Sequence, residues 1–120
     1  MRKYVDGFVI PVALDKLDAY RAMAEAANKI WMEYGALATM ECVGEDLNIP
    51  DTLGFPAMVK LQPGETVIFA WIVFASREHR DEVNAKVLAD PRIKEKCIPE
   101  NMPFDCQRMA YGGFRSIVEN

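Results

Sequence analysis

The sequence predicts a ferredoxin-like α+β sandwich, βαββαβ, in which two helices cover one face of an antiparallel four-stranded sheet. Three observations lead there. Apolar residues at Leu17, Tyr20, Ala24, Ala27, Trp31 and Tyr34 step by three and four, which is a single helix stripe. The run Thr66 to Phe74 is short and rich in β-branched and aromatic residues, so it is a central strand. Strand and helix signals alternate as two β-α-β halves that share one sheet.

Each element follows from local chemistry. Lys3 to Val12 reads as a first strand ended by Pro11. Asp15 is an N-cap for the first helix, and Gly35 is its stop. Ala36 to Val43 is a second strand, with Leu37, Thr39, Glu41 and Val43 on one face. Gly44 to Phe55 is a loop, and Pro56 opens a short helix or strand ending near Leu61. Gln62-Pro63-Gly64-Glu65 is a type II turn. Ser76 caps a second helix to Leu88 or Ala89, with Arg80, Val83, Asn84, Val87 and Leu88 facing inward. Asp90-Pro91 restarts a short helix, Pro99 and Pro103 keep Ile98 to Gln107 irregular, and Arg108 to Val118 is the last strand. Right-handed crossovers place the first and third strands in the middle, the fourth beside the first and the second beside the third.

This order leaves a surplus of apolar surface. Val67, Phe69, Trp71 and Val73 point one way from the third strand, and Ile68, Ala70, Ile72 and Phe74 the other. The first strand likewise carries Val5 and Val9 on one face and Phe8 and Ile10 on the other. A sheet with one wet face alternates apolar and polar residues, and this one does not. The expectation is a homodimer packed sheet face to sheet face, because small oligomers are mostly two-fold symmetric.

Composition narrows the function classes. At 120 residues, 51% of them hydrophobic, the chain reads as one domain over 1–120 with a real core. It has no apolar run of about 18 residues for a membrane helix. The net charge of −4 and pI near 5.0 argue against nucleic-acid binding, which calls for a basic stripe. Met1-Arg2-Lys3 is followed by an acid and a glycine, unlike a signal peptide. Cys42, Cys97 and Cys106 form an odd set, which fits free thiols in the cytoplasm. With no C-x-x-C and a single histidine, no metal site is expected. Phosphate-loop and serine-hydrolase motifs are missing, and no cofactor is expected.

Several residues are candidates for chemistry, each with a plainer alternative. Asp6 lies in a central strand, where a carboxylate is costly; it is a base of raised pKa or the structural partner of Arg108 on the neighbouring last strand. His79, in the first turn of the second helix, is the natural acid/base or an exposed surface histidine. Asn84 either orients a ligand or ties the helix to a loop backbone. Trp71 and Tyr111, with Tyr4, line a pocket or pack in a core or dimer interface. Gly7 and Gly112-Gly113 leave room for a ligand or let the last strand bend. Arg92 is an anion contact or simply an exposed arginine, and Glu41 carries no argument by itself.

Tyr4-Val5-Asp6-Gly7-Phe8-Val9, Phe69-Ala70-Trp71-Ile72, Arg80-Asp81 with Asn84, Asp90-Pro91-Arg92, and Met102-Pro103-Phe104-Asp105 leading to Arg108-Met109-Ala110-Tyr111-Gly112-Gly113-Phe114 recur in this order. Together they resemble the bacterial YbaA-like family of unknown function, placed in the dimeric α/β-barrel superfamily. That resemblance implies a ferredoxin-like protomer and a dimer whose sheets form a barrel, and it implies no set activity. Two readings follow. In one, a small apolar or aromatic molecule binds between sheet and helices and meets cofactor-independent monooxygenase-like or isomerase-like chemistry. Asp6, His79, Asn84, Arg108 and Tyr111 are then the polar groups around it. In the other, the chain is a non-catalytic ligand-binding or interaction module.

Overall fold

A computed structural model describes residues 2–96, 98, 100 and 102–120. The order is β1 (Tyr4–Ala13), α1 (Leu17–Glu33), β2 (Ala38–Val43), α2 (Phe55–Met58), β3 (Glu65–Phe74), α3 (Arg77–Ala89), α4 (Pro91–Lys96) and β4 (Ala110–Arg115). The sheet runs β2-β3-β1-β4, antiparallel at every pairing. This is the ferredoxin-like order the sequence predicts, with α1 and α3 on one face.

The differences lie at the ends of elements. Pro11 does not end β1; it pairs with Val67 inside the strand. β4 reaches only as far as Val9, so at Pro11 the strand has an open edge where a missing N–H costs nothing. Asp15 is not a cap, because a 3-10 turn over Leu14–Lys16 intervenes and α1 starts without a side-chain cap. Gly35 does end α1, at φ 113°, and Gly64 takes φ 81° in its turn. Ser76 caps α3 by accepting the His79 N–H. Leu88 is 59% exposed and not inward. The last strand is shorter than its apolar run suggests, and Arg108 lies before it in a 3-10 turn over Cys106–Arg108. Cys97 and Pro99 lie outside the described residues.

The helix-covered face holds the core. Ile10, Val12, Tyr20, Ala24, Ile68 and Ala70 bury together, and Ile30, Ile72, Phe74, Val83, Val87 and Ile93 form a second cluster. The other face carries Val5, Val9, Phe69, Trp71, Val73 and Phe114 around an open trough of about 700 Å³. Gly7 and Gly112 lie opposite each other there, and the Phe114 ring covers Gly7. The α2 segment overlies one end of the trough, where Phe55 meets Phe69 edge-on. Phe69 stays 45% exposed and Phe114 62%, so beyond α2 nothing among the described residues covers this face. The overall shape is a slab, 38 × 37 × 20 Å.

Candidate functional site

Asp6 is 1% exposed, on the helix-covered face of β1. Its partner is Arg80 of α3, not Arg108. Arg80 Nη1 donates to Asp6 Oδ1 at 3.2 Å, while Asn84 Nδ2 and the Tyr111 hydroxyl both donate to Oδ2 at 3.2 Å. Arg80 also donates to Tyr111 Oη at 3.1 Å and Tyr4 Oη at 3.3 Å, and its guanidinium sits 4.9 Å over the Tyr4 ring. Burial is the largest influence on Arg80 and works against its charge, but Asp6, Tyr111 and Tyr4 together outweigh it and push the guanidinium pKa up. The Tyr111 phenol is also pushed up, first by burial and then by Asp6. Three donors thus meet the Asp6 carboxyl group, which has the hydrogen-bonded surroundings expected of a buried acid.

The Asn84 side chain meets other side chains and no loop backbone among the described residues. Its Oδ1 accepts the Trp31 Nε1–H at 2.9 Å, so it joins the Asp6 network to a wall of α1. Arg108 holds Glu65 instead of Asp6, with contacts of 2.6 and 2.9 Å, and donates to the Lys60 carbonyl at 3.2 Å. The reason is register: Asp6 faces Gly113 on β4, whereas Glu65 faces Ala13 at the far end of β1. Hydrogen bonding to Arg108 holds the Glu65 carboxyl below its usual range.

His79 closes a reciprocal cap. Its Nδ1 accepts the Ala75 N–H at 3.0 Å while its own N–H goes to Ser76 Oγ at 3.1 Å, and its ring meets Phe74 edge-on. That hydrogen bond places the ring proton of the neutral imidazole on Nε2. Trp71 lies on the opposite sheet face from Asn84, edge-on to Phe69. Tyr111 connects the two faces, with its hydroxyl on Asp6 and its ring stacked on Phe8 at 4.8 Å. Arg92 grips Asp90 at 2.9 Å and Glu33 at 3.1 Å, pinning the α3–α4 corner to the end of α1. With Tyr34 donating to Asp90 as well, this holds the Asp90 carboxyl well below the carboxylate range.

Trp71 and Tyr111 both line the outer trough, but the sequence-based candidates as a set do not converge on one hollow. A cavity of about 220 Å³ lies elsewhere between sheet and helices, walled by Phe8, Ile10, Trp31, Ile72, Phe104 and Met109. One corner is polar. Tyr20 Oη donates to Glu41 Oε1 at 2.6 Å, and Asn28 Nδ2 donates to Oε2 at 3.1 Å. Burial, reinforced by the Glu41 hydrogen bond, pushes the Tyr20 phenol far above its usual range. Glu41 itself is exposed, on an edge strand, and is the one acid lining the cavity among the described residues. Sequence reasoning missed this corner. The signal was faint: Tyr20, Ala24 and Asn28 step by four along α1, and Glu41 lies on the inward face of β2. Among the described residues, no group of three His, Cys, Asp or Glu side chains could hold a metal ion. No helix among them is long and apolar enough to cross a membrane.

Sheet order, helix placement and a hollow between the two layers define an α+β protein of the ferredoxin-like class. The chain belongs to the family described as protein of unknown function DUF1428, whose model matches residues 3–106. It is 48% identical over 117 residues to the uncharacterized protein YbaA of Escherichia coli K12, covering 98% of each chain. YbaA of Shigella flexneri is similar to the same degree, 48% over 98% of both chains. Among solved structures, the chain resembles a dimeric ferredoxin-like protein from an uncultured marine organism. The TM-score is 0.57 at 12% identity, with both chains covered in full, which is a likeness of fold.

Proposed function

We propose that the chain binds a compact aromatic molecule carrying a hydrogen-bond donor, in the cavity between sheet and helices, and that it does so as a homodimer closed over the open sheet face. The cavity carries the reading: about 220 Å³, apolar on most sides, with Glu41 at one corner. A dry apolar hollow of roughly 150 Å³ accommodates benzene, so this volume suits a substituted ring. A carboxylate offers about four lone-pair positions, and Glu41 uses two within the protein, on Tyr20 and Asn28. The others can accept a donor from the ligand. Within an isomerase-like reading, Glu41 is the group placed to take a proton. Asp6, buried and holding three donors, supports the wall through Asn84 and Trp31.

The dimer reading rests on the exposed apolar trough and on the dimeric description of the structural neighbour. Free Cys42 and Cys106 fit a reducing, cytoplasmic setting. The test is titration with phenol and with toluene, followed by calorimetry and by Trp31 fluorescence in a Trp71→Phe background. Phenol should bind more tightly, and the preference should vanish in Glu41→Leu. Equal affinities in the native chain, or no binding of either, would overturn the ligand reading. Light scattering should give twice the 13.6 kDa chain mass, and a monomer at micromolar concentration would overturn the dimer.

A further inference from the structure

We infer that the protein has a second, separate site: a cationic hollow that binds a small phosphate-bearing anion of the diphosphate class. The hollow measures about 430 Å³ and lies where the start of β1, the start of α3 and the end of β4 meet. Arg2, Lys3, Arg77 and Arg115 line it, and no acid does among the described residues. The chain as a whole is acidic, at −4, so this grouping runs against the bulk charge. Register assembles it, since Tyr4 faces Arg115 on one side and Phe74, two residues before Ser76, on the other.

Two hydroxyls add donors between the cations. Ser76 Oγ accepts the His79 N–H, and Tyr4 Oη accepts from Arg80. Neither donates its own proton within the described residues, so both O–H groups are available to an acceptor. Arg2, Lys3 and Arg115 have no side-chain salt bridge among the described residues, and the Arg77–Asp81 contact is long, 3.9 Å, and exposed. The rim does hold one acid: Glu119 accepts the Lys3 backbone N–H at 2.8 Å and a bond from Ser116, which holds its carboxyl below the usual range. Glu119 beside Lys3 and Asp81 beside Arg77 offset part of the four positive charges and leave the hollow net cationic. Guanidinium forks suit phosphate oxygens, and the volume exceeds what one phosphate fills.

The experiment is calorimetric titration of the full chain with inorganic pyrophosphate, with citrate as a non-phosphate polyanion at matched ionic strength. Pyrophosphate should bind saturably, one per chain, and more tightly than citrate. The double variant Arg77→Gln, Arg115→Gln should weaken it by about tenfold or more, with the melting temperature and phenol titration unchanged. Arg21→Gln, an exposed change on α1, should leave pyrophosphate binding intact. The inference is overturned by absent or unsaturable binding, by equal affinity for citrate, or by an equal loss in Arg21→Gln.

Discussion

Asp6 and Glu41 hang from the same face of the same sheet and meet opposite surroundings. Asp6 is on β1, with paired strands on both sides and α3 above it, and three donors close on its carboxylate. Glu41 is on β2, paired with β3 alone, and its two donors leave it exposed beside a hollow. A charge at the centre of a sheet has to be neutralised by the protein itself, because water cannot reach it. At the edge, water or a ligand can complete the shell. The residue that looks oddest in the sequence is thus buried and enclosed by donors, and the ordinary-looking one borders the space.

The sharpest way to break this contrast is Arg80→Met. It strands a buried carboxylate and should cost about 3–5 kcal/mol in denaturant unfolding. A loss near zero would show that Asn84 and Tyr111 hold Asp6 without help. Asn84→Ala comes next: it leaves the Trp31 indole N–H unpaired and Asp6 one donor short, for about 1–3 kcal/mol. Trp31 fluorescence should shift in the same variant.

At the Glu41 corner, alkali is informative. The folded Tyr20 phenol is raised, so its stabilisation is complete below the unfolded pKa of about 10 and is lost as pH rises beyond it. By pH 11 native protein should lose about 1.4 kcal/mol relative to Tyr20→Phe, read from paired melts. Glu41→Gln keeps an acceptor for Tyr20 and should cost about 1 kcal/mol or less, while weakening phenol binding. If it destabilised as much as Arg80→Met, the two corners would be alike and the contrast would fail.

The fold was legible because its signals are local and periodic. The α1 stripe, the Ser76 cap, the glycine turn and the doubly apolar β3 each carry their own evidence in sequence. Asp6 was also legible as an anomaly, and Arg80 stood on the inward stripe of α3. Their pairing was not, because it depends on how α3 lies across the sheet. Arg108 looked like the neighbour until the register put Gly113 opposite Asp6. The Glu41 corner was less legible still, since a cavity is the space left when α1, the sheet and the 102–109 segment fail to fill it. No residue type encodes that.

Phe8 borders both the inner cavity and the outer trough, and it stacks on Tyr111. Under the proposed function, one ring answers to two occupants. A molecule that resets the Phe8 rotamer from inside changes the surface offered outside, and linkage makes the effect mutual. Whatever factor such a molecule multiplies into self-association, self-association returns to its affinity, so a dilution series with and without it measures both from one curve.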